Sequence, residues 1–544
     1  MMGKLSSLLK LRPFLRKHWL IFWAGIIGML VSSLSANPVP YMIGHIMDTV
    51  LIGTKSYAEF YYYIGLIAVL YALRYAISLY AKYMFVKINN VVVNEMRYSI
   101  MEKVMDLPMS YLSATEKGYL QSRISECSSI GSIFSPTIVS VLLSAMDAVL
   151  AFVTMFTLNY KLAFVVLALT PLFFLSSKAS SGKFMKSTKE MMESNAVLNG
   201  ECFEIINGIE DIKILNGKHT HLAKFRSKLR ELIHSSVKQS KSMLLFMENI
   251  ALINQFGSLL VLLTSGIMIL KGHFTIGMYT SFSLYISKVF TSTQGLATIG
   301  ATIKPVCLSI ERVVELMEMK GENSGKRNDL KAPITSIKLE NVSFTYKTGK
   351  NVLDSLNFEI RKGEKILIRG DNGSGKSTLI KLLLGLYEPT EGTLSFNNRD
   401  AATIDHESIR ARIGVVSQSI FMFRGTVLDN ILYGQTGKSR EDVERLITDL
   451  KLQGYIDRLS MGLDTQIAQN AAGVSGGQAQ VIAFIRAMLS GKDVIILDEP
   501  ISNVDAETRD LMLNLWQERD FSGILIVVSH LTDGMDFISR SIDL

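Results

Sequence analysis

The sequence predicts a multi-domain membrane protein, in which an all-α domain with six transmembrane helices precedes an α/β domain. Hydrophobic residues make up 48% of the 544 residues and charged residues only 19%, which is too apolar for a typical soluble chain. Long apolar stretches fill the first 320 residues, whereas short apolar strands alternate with helical patterns from about residue 334 onwards. We therefore expect a transmembrane domain at 1–320, a polar, breaker-rich linker at 321–333 and an α/β domain at 334–544.

Six apolar stretches in the first domain approach the ~20 residues that a helix needs to cross a bilayer. The fourth of them is the shortest. The predicted spans are His18–Ile43, Phe60–Tyr80, Ser132–Phe156, Leu162–Leu175, Asn249–Leu270 and Phe274–Ile303. The first apolar run is too long for the core of a cleavable signal peptide, so we expect it to remain as a span.

The basic residues predict the orientation of these spans. Five of them precede the first span, and the two long polar segments from Lys82 to Arg123 and from Lys178 to Lys241 are rich in lysine. Because cytoplasmic segments carry the excess of Lys and Arg, both termini should be cytoplasmic and the protein should lie in the cell membrane. The formal net charge of +8 is explained in the same way, so nucleic acid is not an expected partner.

Between Ser187 and Lys241 the apolar spacing predicts helices that continue beyond the bilayer, and flexible loops are the alternative.

Three charged residues interrupt the predicted spans, namely Arg74, Asp147 and Lys288. A charge within hydrocarbon needs a partner or a water-filled cavity. Arg74 and Lys288 either extend their charged ends towards the membrane interface or form ion pairs between helices. The other hypothesis is that these charged residues contact a transported substrate. The three cysteines lie far apart and have no metal-ligand spacing, so neither a disulfide nor a metal site is expected.

A phosphate-binding loop is predicted at Gly370-Asp-Asn-Gly-Ser-Gly-Lys-Ser-Thr378, which fits G-x-x-x-x-G-K-[ST]. The strand Lys365–Arg369 precedes it and a helix from about Lys376 to Leu384 follows it. Glycine lets successive backbone N–H groups turn towards a phosphate, and the helix dipole favours the same charge. In this motif Lys376 reaches the β- and γ-phosphates and the Ser377 hydroxyl binds Mg²⁺.

Two later strands end in residues that suit phosphoryl chemistry. The strand beginning at Val494 leads into Asp498 and Glu499, at the sheet edge where open α/β sheets bind ligands. Asp498 suits Mg²⁺ coordination through water, and Glu499 suits polarising an attacking water. The strand beginning at Ile524 leads into His530, a candidate γ-phosphate contact.

With these motifs in order, the chain resembles the ATP-binding cassette (ABC) half-transporters of the exporter type, in which the membrane domain is fused to the P-loop NTPase (ABC ATPase) domain. The family's signature loop is matched by Val474-Ser-Gly-Gly-Gln478, with valine where leucine is usual. The resemblance implies that Tyr346 stacks on adenine and that Gln418 senses Mg²⁺ and the water. Gly208–Lys213 and Leu107–Gly118 resemble the two coupling segments, and Asp505 lies in the loop that connects the two nucleotide sites.

The resemblance therefore implies ATP and Mg²⁺ as cofactors and assigns three groups of residues. The expected catalytic residues are Glu499, His530, Lys376 and Gln418. The expected Mg²⁺ contacts are Ser377, Gln418 and Asp498. The expected ATP contacts are Tyr346, Gly370, Asp371, Asn372, Gly373, Ser374, Gly375, Lys376, Ser377, Thr378, Ser475, Gly476, Gly477, Gln478 and Asp505.

Three departures from the family pattern are visible. Gln469 stands where an acidic residue is usual, Pro500 stands where alanine is more common, and the chain ends soon after His530, so its C-terminal end looks shortened. No peptidase-like segment precedes the first span, which argues against an exporter that trims its own cargo.

The function implied by the resemblance is ATP-driven export by alternating access in a dimer, with a second copy of the chain as the expected partner. The substrate is expected to be a peptide or an amphiphilic small molecule or lipid. An ATP-gated channel or membrane regulator is the alternative, and an importer subunit is a third reading.

Overall fold

The computed structural model describes residues 10–115, 117–322, 328–346, 349, 351–371, 373–468, 474–501, 506–518, 522–530 and 535–544. Side chains are left undescribed at 117, 168–181, 294, 297–302, 304–305, 507–508 and 518. Internal contacts divide the chain into two units. The first contains the residues up to Val104 and Gly118–Glu318, and the second contains Met105–Lys117 and Met319–Leu544. The domain boundaries given above remain predictions.

The first unit is helical, as predicted. A π-helical segment, Ile46–Thr54, and a short 3₁₀ turn, Ser132–Phe134, complete it. Its α-helices are Arg12–Lys17, Trp19–Ala36, Val39–His45, Tyr57–Met105, Lys117–Gly131, Pro136–Leu158, Tyr160–Asn207, Ile209–Ile214, Lys218–Leu270 and Ile276–Glu318.

Local sequence explains where several of these helices begin. Ser135 accepts a hydrogen bond from the backbone N–H of Ile138, and proline at position 136 has no N–H that needs a partner. Asn159 accepts two backbone N–H groups at the start of the helix Tyr160–Asn207. The prediction that residues 187–241 are helical is confirmed by the two long helices that cover them.

Within the described residues, four helical stretches are long and apolar enough to cross a bilayer. They are Trp19–Thr54, Tyr57–Met105, Gly118–Leu158 and Lys218–Leu270. The remaining predicted spans fall on the helices Tyr160–Asn207 and Ile276–Glu318, some of whose side chains are not described. The count of six spans therefore stays a prediction.

The second unit is an α/β domain with two main sheets. A four-stranded sheet has the order β2-β1-β4-β5, with its neighbouring strands antiparallel, and a five-stranded parallel sheet has the order β11-β3-β10-β9-β6. Strands β7 and β8 pair separately. The strands are β1 Ser336–Thr345, β2 Asn351–Arg361, β3 Lys365–Arg369, β4 Glu391–Phe396, β5 Arg399–Asp400, β6 Ile413–Val416, β7 Gly425–Thr426, β8 Gln466–Ile467, β9 Val494–Asp498, β10 Ile524–Val528 and β11 Arg540–Asp543.

Eight helices complete the described part of this unit. They are Met109–Leu112, Lys376–Leu383, His406–Arg410, Val427–Leu432, Arg440–Asp449, Gln453–Ile456, Gly476–Leu489 and Ala506–Glu518. Strand β10 is apolar throughout and all of its residues are buried, and the first four residues of β9 are apolar and buried as well. Such runs are typical of parallel strands that are covered on both faces. The predicted fold class, a helical membrane domain followed by an α/β domain, is confirmed.

Candidate functional site

The phosphate loop connects β3 to the helix Lys376–Leu383, as the motif predicted. Gly373 and Gly375 have φ angles of +91° and +101°, which L side chains rarely adopt. A Cβ atom on Gly375 would also lie 2.5 Å from Leu353 Cδ2. Both the backbone conformation and the available space therefore require glycine at position 375.

Lys376 is buried at the start of this helix. Its Nζ donates hydrogen bonds to the carbonyl oxygens of Gly370 (2.7 Å) and Asp371 (2.9 Å), which hold the ammonium group over the loop. Ser377, the next residue, is exposed. An anion at this helix N-terminus would meet backbone N–H groups, the helix dipole and the ammonium group together. The loop thus has the geometry of a phosphate site.

Three of the predicted catalytic residues meet at one edge of the parallel sheet. The Glu499 carboxylate accepts a hydrogen bond from Gln418 Nε2 at 2.9 Å and lies 3.4 Å from His530 Nδ1. Gln418 follows β6, Glu499 follows β9 and His530 follows β10, and the sheet order places β6, β9, β10 and β3 side by side. Because parallel strands end at the same edge, these residues come together at the edge that also carries the phosphate loop.

The backbone at Glu499 is held in an unusual conformation. Its φ angle is +47°, which is uncommon for a residue with a side chain, and its N–H donates to Val528 O at 2.8 Å. The side chain is only 11% exposed. Residues held in such sparsely populated conformations often lie at functional sites.

The carboxyl group of Asp498 lacks full electrostatic compensation from the protein. Burial raises the pKa of Asp498 above its ordinary value of 3.8, and the negative charge of Glu499 raises it further. The backbone N–H of Gln418 and the charge of Lys376 act in the opposite direction. A cation beside this carboxylate would therefore stabilise its ionised form.

The residues at this edge fit Mg²⁺. The Asp498 carboxylate, the Ser377 hydroxyl and the Gln418 amide all offer oxygen, the ligand that Mg²⁺ prefers. Among the described residues, no group of three His, Cys, Asp or Glu side chains is placed to hold a metal ion. This agrees with the usual behaviour of Mg²⁺, which takes one or two protein oxygens together with substrate phosphates and water.

The signature segment caps the helix Gly476–Leu489. The backbone N–H of Ser475 donates to Gln478 Oε1 at 2.8 Å, and the backbone N–H of Gln478 donates to Ser475 Oγ at 3.2 Å. This reciprocal pair is a capping box, which fixes the start of the helix and its two glycines. The side chains of Ser475 and Gln478 are thus bonded to each other's backbone.

Tyr346 belongs to an aromatic cluster beside the phosphate loop. Its hydroxyl lies 3.1 Å from Thr378 Oγ1, and its ring is perpendicular to those of Phe344 and Tyr387. Tyr346, Lys381 and Tyr387 line a cavity of about 750 Å³ in the second unit. Sequence reasoning missed Tyr387 and Lys381 because neither belongs to a recognised motif. The position of Lys381, five residues after Lys376 on the same helix, was the only available signal.

Two predicted ATP contacts, Asn372 and Asp505, lie outside the described residues, as does Gln469, the departure from the family pattern. Their roles remain predictions.

The charged residues of the predicted spans also meet. Arg74 Nη2 lies 2.6 Å from Asp147 Oδ2, and Ser33 Oγ donates to Asp147 Oδ1 at 2.5 Å. Lys288 Nζ donates to Ala36 O at 3.1 Å. The interpretation of Arg74 as half of an interhelical pair is confirmed.

The fold and this site define a membrane-embedded protein with a nucleotide-binding ATPase domain on the same chain. Residues 22–294 match the family model described as the ABC transporter transmembrane region, and residues 353–502 match the model described as ABC transporter. The chain therefore belongs to the ABC transporter family.

Known proteins are similar over nearly the whole chain. The lactococcin-A transport/processing ATP-binding protein LcnC of Lactococcus lactis subsp. lactis is 28% identical over 94% of this chain and 71% of its own length. The probable multidrug resistance ABC transporter ATP-binding/permease protein YheI of Bacillus subtilis (strain 168) is 25% identical over 96% of this chain and 90% of its own length. A solved bacterial Atm1-family ABC exporter with ATP bound has the same fold, with a TM-score of 0.85 at 20% identity, covering 97% of this chain and 93% of that one.

These comparisons confirm the predicted family, the membrane association, the binding of ATP and the ATP-driven transport that the family performs. The requirement for Mg²⁺, the identity of the partner subunit and the orientation of the termini stay predictions.

Proposed function

We propose that the chain is an ATP-driven exporter that works as a dimer of two identical copies and moves a peptide or an amphiphilic molecule out of the cytoplasm. The observation that carries this proposal is the convergence of Gln418, Glu499 and His530 beside a complete phosphate loop. Gln418 and His530 hold the Glu499 carboxylate from two sides. Hydrolysis of a nucleotide requires such an oriented carboxylate, whereas nucleotide binding alone does not.

Each residue at the sheet edge has a role in hydrolysis. Lys376 neutralises the β- and γ-phosphates of ATP, and Ser377 and Asp498 would hold Mg²⁺, which would neutralise charge that develops during phosphoryl transfer. Glu499 accepts a hydrogen bond from the attacking water, while Gln418 and His530 keep the carboxylate in place. The Tyr346 ring, which lies beside the phosphate loop, stacks on the adenine ring.

The signature segment supports the dimer. The capping box presents the N-terminus of the helix Gly476–Leu489, whose backbone N–H groups and dipole suit a phosphate oxygen. Since the described bonds of the Ser475 and Gln478 side chains go to the capping box, we assign this helix N-terminus to the nucleotide of the partner subunit. A complete site then requires two copies, and hydrolysis drives alternating access of the membrane unit.

The lysine-rich segments indicate the direction of transport, and the names of relatives suggest the class of cargo. The lysine-rich segments predict that the ATPase domain faces the cytoplasm, from which the substrate is exported. The names of two relatives point to different cargoes, since one states lactococcin-A transport and the other multidrug resistance. Both names are compatible with an amphiphilic substrate.

The test is the substitution Glu499→Gln in the full chain reconstituted into liposomes. The amide keeps the size of the side chain but no longer accepts the water proton, so we expect unchanged ATP binding and a loss of hydrolysis of at least about 100-fold. Glu407→Gln, at an exposed position in the same unit, is the matched control and should hydrolyse ATP at the normal rate. Undiminished hydrolysis by the Glu499→Gln protein would refute the assignment.

Transport itself separates this function from the alternative of an ATP-gated channel. Vesicles that carry an exporter accumulate a labelled substrate against its gradient, whereas a channel only dissipates the gradient. The presence of both Glu499 and His530 at the site favours the pump.

A further inference from the structure

The first membrane-spanning segment is broken in its middle. The helix Trp19–Ala36 ends before Asn37-Pro38, and the helix Val39–His45 follows. Because Pro40 has no N–H, the carbonyl group of Ala36 loses its ordinary helical donor four residues later. Unpaired carbonyl groups at membrane depth are costly, so other groups must satisfy them.

Side chains of the helix Ile276–Glu318 donate to this broken segment. Ser281 Oγ donates to Pro40 O at 2.9 Å, Tyr285 Oη donates to Asn37 O at 2.7 Å, and Lys288 Nζ donates to Ala36 O at 3.1 Å. These three hydrogen bonds stabilise the break, and they bring the Lys288 side chain to the backbone of the first span.

The charges around the break do not balance among the described residues. Both oxygens of Asp147 are engaged, one by Arg74 and the other by Ser33. Lys288 lies within electrostatic range of Arg74 and Asp147, but it has no carboxylate of its own among its described contacts, which are Ala36 O and the face of the Tyr285 ring. Two cations and one anion leave a net charge of +1.

An unsatisfied acceptor lies at the same break. Asn37 Nδ2 donates to Thr154 Oγ1 at 2.9 Å, and Thr154 Oγ1 donates its own proton to Leu150 O, which fixes the orientation of the Asn37 amide. Asn37 Oδ1 is buried and has no hydrogen-bond partner among the described residues. The break thus combines a surplus cation with a buried acceptor on the residue next to the one that Lys288 contacts.

The cluster also lies deep within the membrane unit. Asp147 stands near the middle of the 23-residue helix Pro136–Leu158, which predicts a position close to the centre of the bilayer. Charged residues at such depth are costly and usually mark a substrate or ion pathway. An interaction between an anion and Lys288 would be strong there because little water screens it.

We propose that this break is a substrate subsite that binds the free carboxyl terminus of a peptide-like molecule. Lys288 pairs with the terminal carboxylate, and Asn37 Oδ1 accepts the N–H of the last peptide bond. The pair Arg74–Asp147 is neutral overall, so the charge of Lys288 is left for the ligand. A phospholipid phosphate shares the anionic charge, but it has no amide N–H beside it to satisfy Asn37. The inference rests on the proposed export function and narrows the class of its cargo.

The experiment compares two peptide libraries on the full-length protein in phosphatidylcholine nanodiscs. Both libraries contain the same N-acetylated apolar nonapeptides, and they differ only in a free carboxylate or an amide at the C-terminus. The readout is the concentration that gives half-maximal stimulation of ATPase activity, expressed for each variant as the ratio of amide to acid. We expect the wild-type ratio to be at least about ten, which corresponds to 1.4 kcal/mol of preference.

Three variants test the residue assignment. Lys288→Met removes the charge at similar length and should bring the ratio to about one, and Lys288→Arg should retain a preference for the acid. Lys271→Met, at an exposed lysine of the same unit, should keep the wild-type ratio. Each ratio compares the two libraries on the same variant, so a change in the basal ATPase activity of that variant does not alter the ratio.

The outcomes distinguish a subsite for a peptide carboxylate from a site for a lipid phosphate and from the absence of any subsite. Equal or absent stimulation by the acid and amide libraries overturns the proposal, as does a preference that survives in Lys288→Met. A Lys288-dependent stimulation that follows the content of phosphatidylglycerol in the nanodisc, and not the peptide terminus, assigns the site to a lipid phosphate and overturns the peptide assignment. If hydrolysis and uphill transport persist without any preference for the acid, only this subsite fails and the export function stands.

Discussion

The pair Arg74–Asp147 gives a quantitative test of what holds the membrane unit together. The side chains are 30% and 8% exposed, and their closest atoms are 2.6 Å apart. Removing one member of a buried ion pair costs about 3–5 kcal/mol, because the other charge is left unpaired. Since Arg74 is partly exposed, we expect Arg74→Met to lie at the lower end, about 3 kcal/mol. A unit of this size shifts its unfolding midpoint by about 2 °C per kcal/mol, so the expected decrease is about 6 °C.

Buried cysteines provide the assay. Cys127 and Cys307 lie in the first unit and are 0% and 3% exposed, so in a protein whose half-buried Cys202 is replaced by serine a thiol-reactive fluorophore reports the unfolding of that unit in detergent. Arg226→Met, which removes an exposed arginine from the same unit, is the control and should leave the midpoint within about 1 °C, because exposed substitutions rarely exceed about 0.5 kcal/mol.

A double-mutant cycle then isolates the interaction. Asp147→Asn keeps an acceptor for Ser33 but removes the charge, so on its own it leaves Arg74 without a carboxylate. In the double variant neither charge remains unpaired, and its destabilisation should be smaller than the sum of the two single effects by at least about 1 kcal/mol. Effects that add within about 0.5 kcal/mol would refute the reasoning, because they would show that the two charges do not interact.

Three further predictions concern the ATPase unit. Gly375→Ala should weaken the binding of a fluorescent ATP analogue by at least about tenfold, whereas Gly454→Ala, where a Cβ atom meets nothing, should bind normally. Ser475→Ala removes one half of the capping box and should destabilise the unit by about 1 kcal/mol in a thermal melt, and an unchanged midpoint would contradict the cap. The backbone N–H of Thr426 lowers the pKa of Asp429 below its ordinary value of 3.8, so the charge of Asp429 contributes stability that is present above that value and is lost as the pH falls through the lowered pKa. Asp429→Asn should therefore melt below the wild type at pH 7 by a difference that shrinks below about pH 4, and a difference independent of pH would contradict this assignment.

Some features of the protein could be predicted from the sequence because they are local. The phosphate loop needs glycine at fixed positions for its backbone conformation, so the motif predicted β3, the turn and the helix that follows with nearly the observed bounds. The apolar runs that end at Asp498 and before His530 predicted β9 and β10 in the same way, since a fully buried parallel strand has a recognisable composition. The resemblance to the family also singled out Ser475 and Gln478, the two capping residues of the signature segment, as ATP contacts.

Other features depend on the tertiary structure because the residues involved are distant in the chain. Gln418 lies 81 residues before Glu499, and only the order of the strands in the parallel sheet brings their side chains into contact. Arg74 and Asp147 are 73 residues apart, and the rotation of each helix about its axis decides that these two charges meet. The hydrogen bond from Lys288 to Ala36 depends in addition on a proline-induced break in one helix and on the packing of another against it. Sequence periodicity determines which residues share one face of a helix, but the packing between elements determines which faces meet.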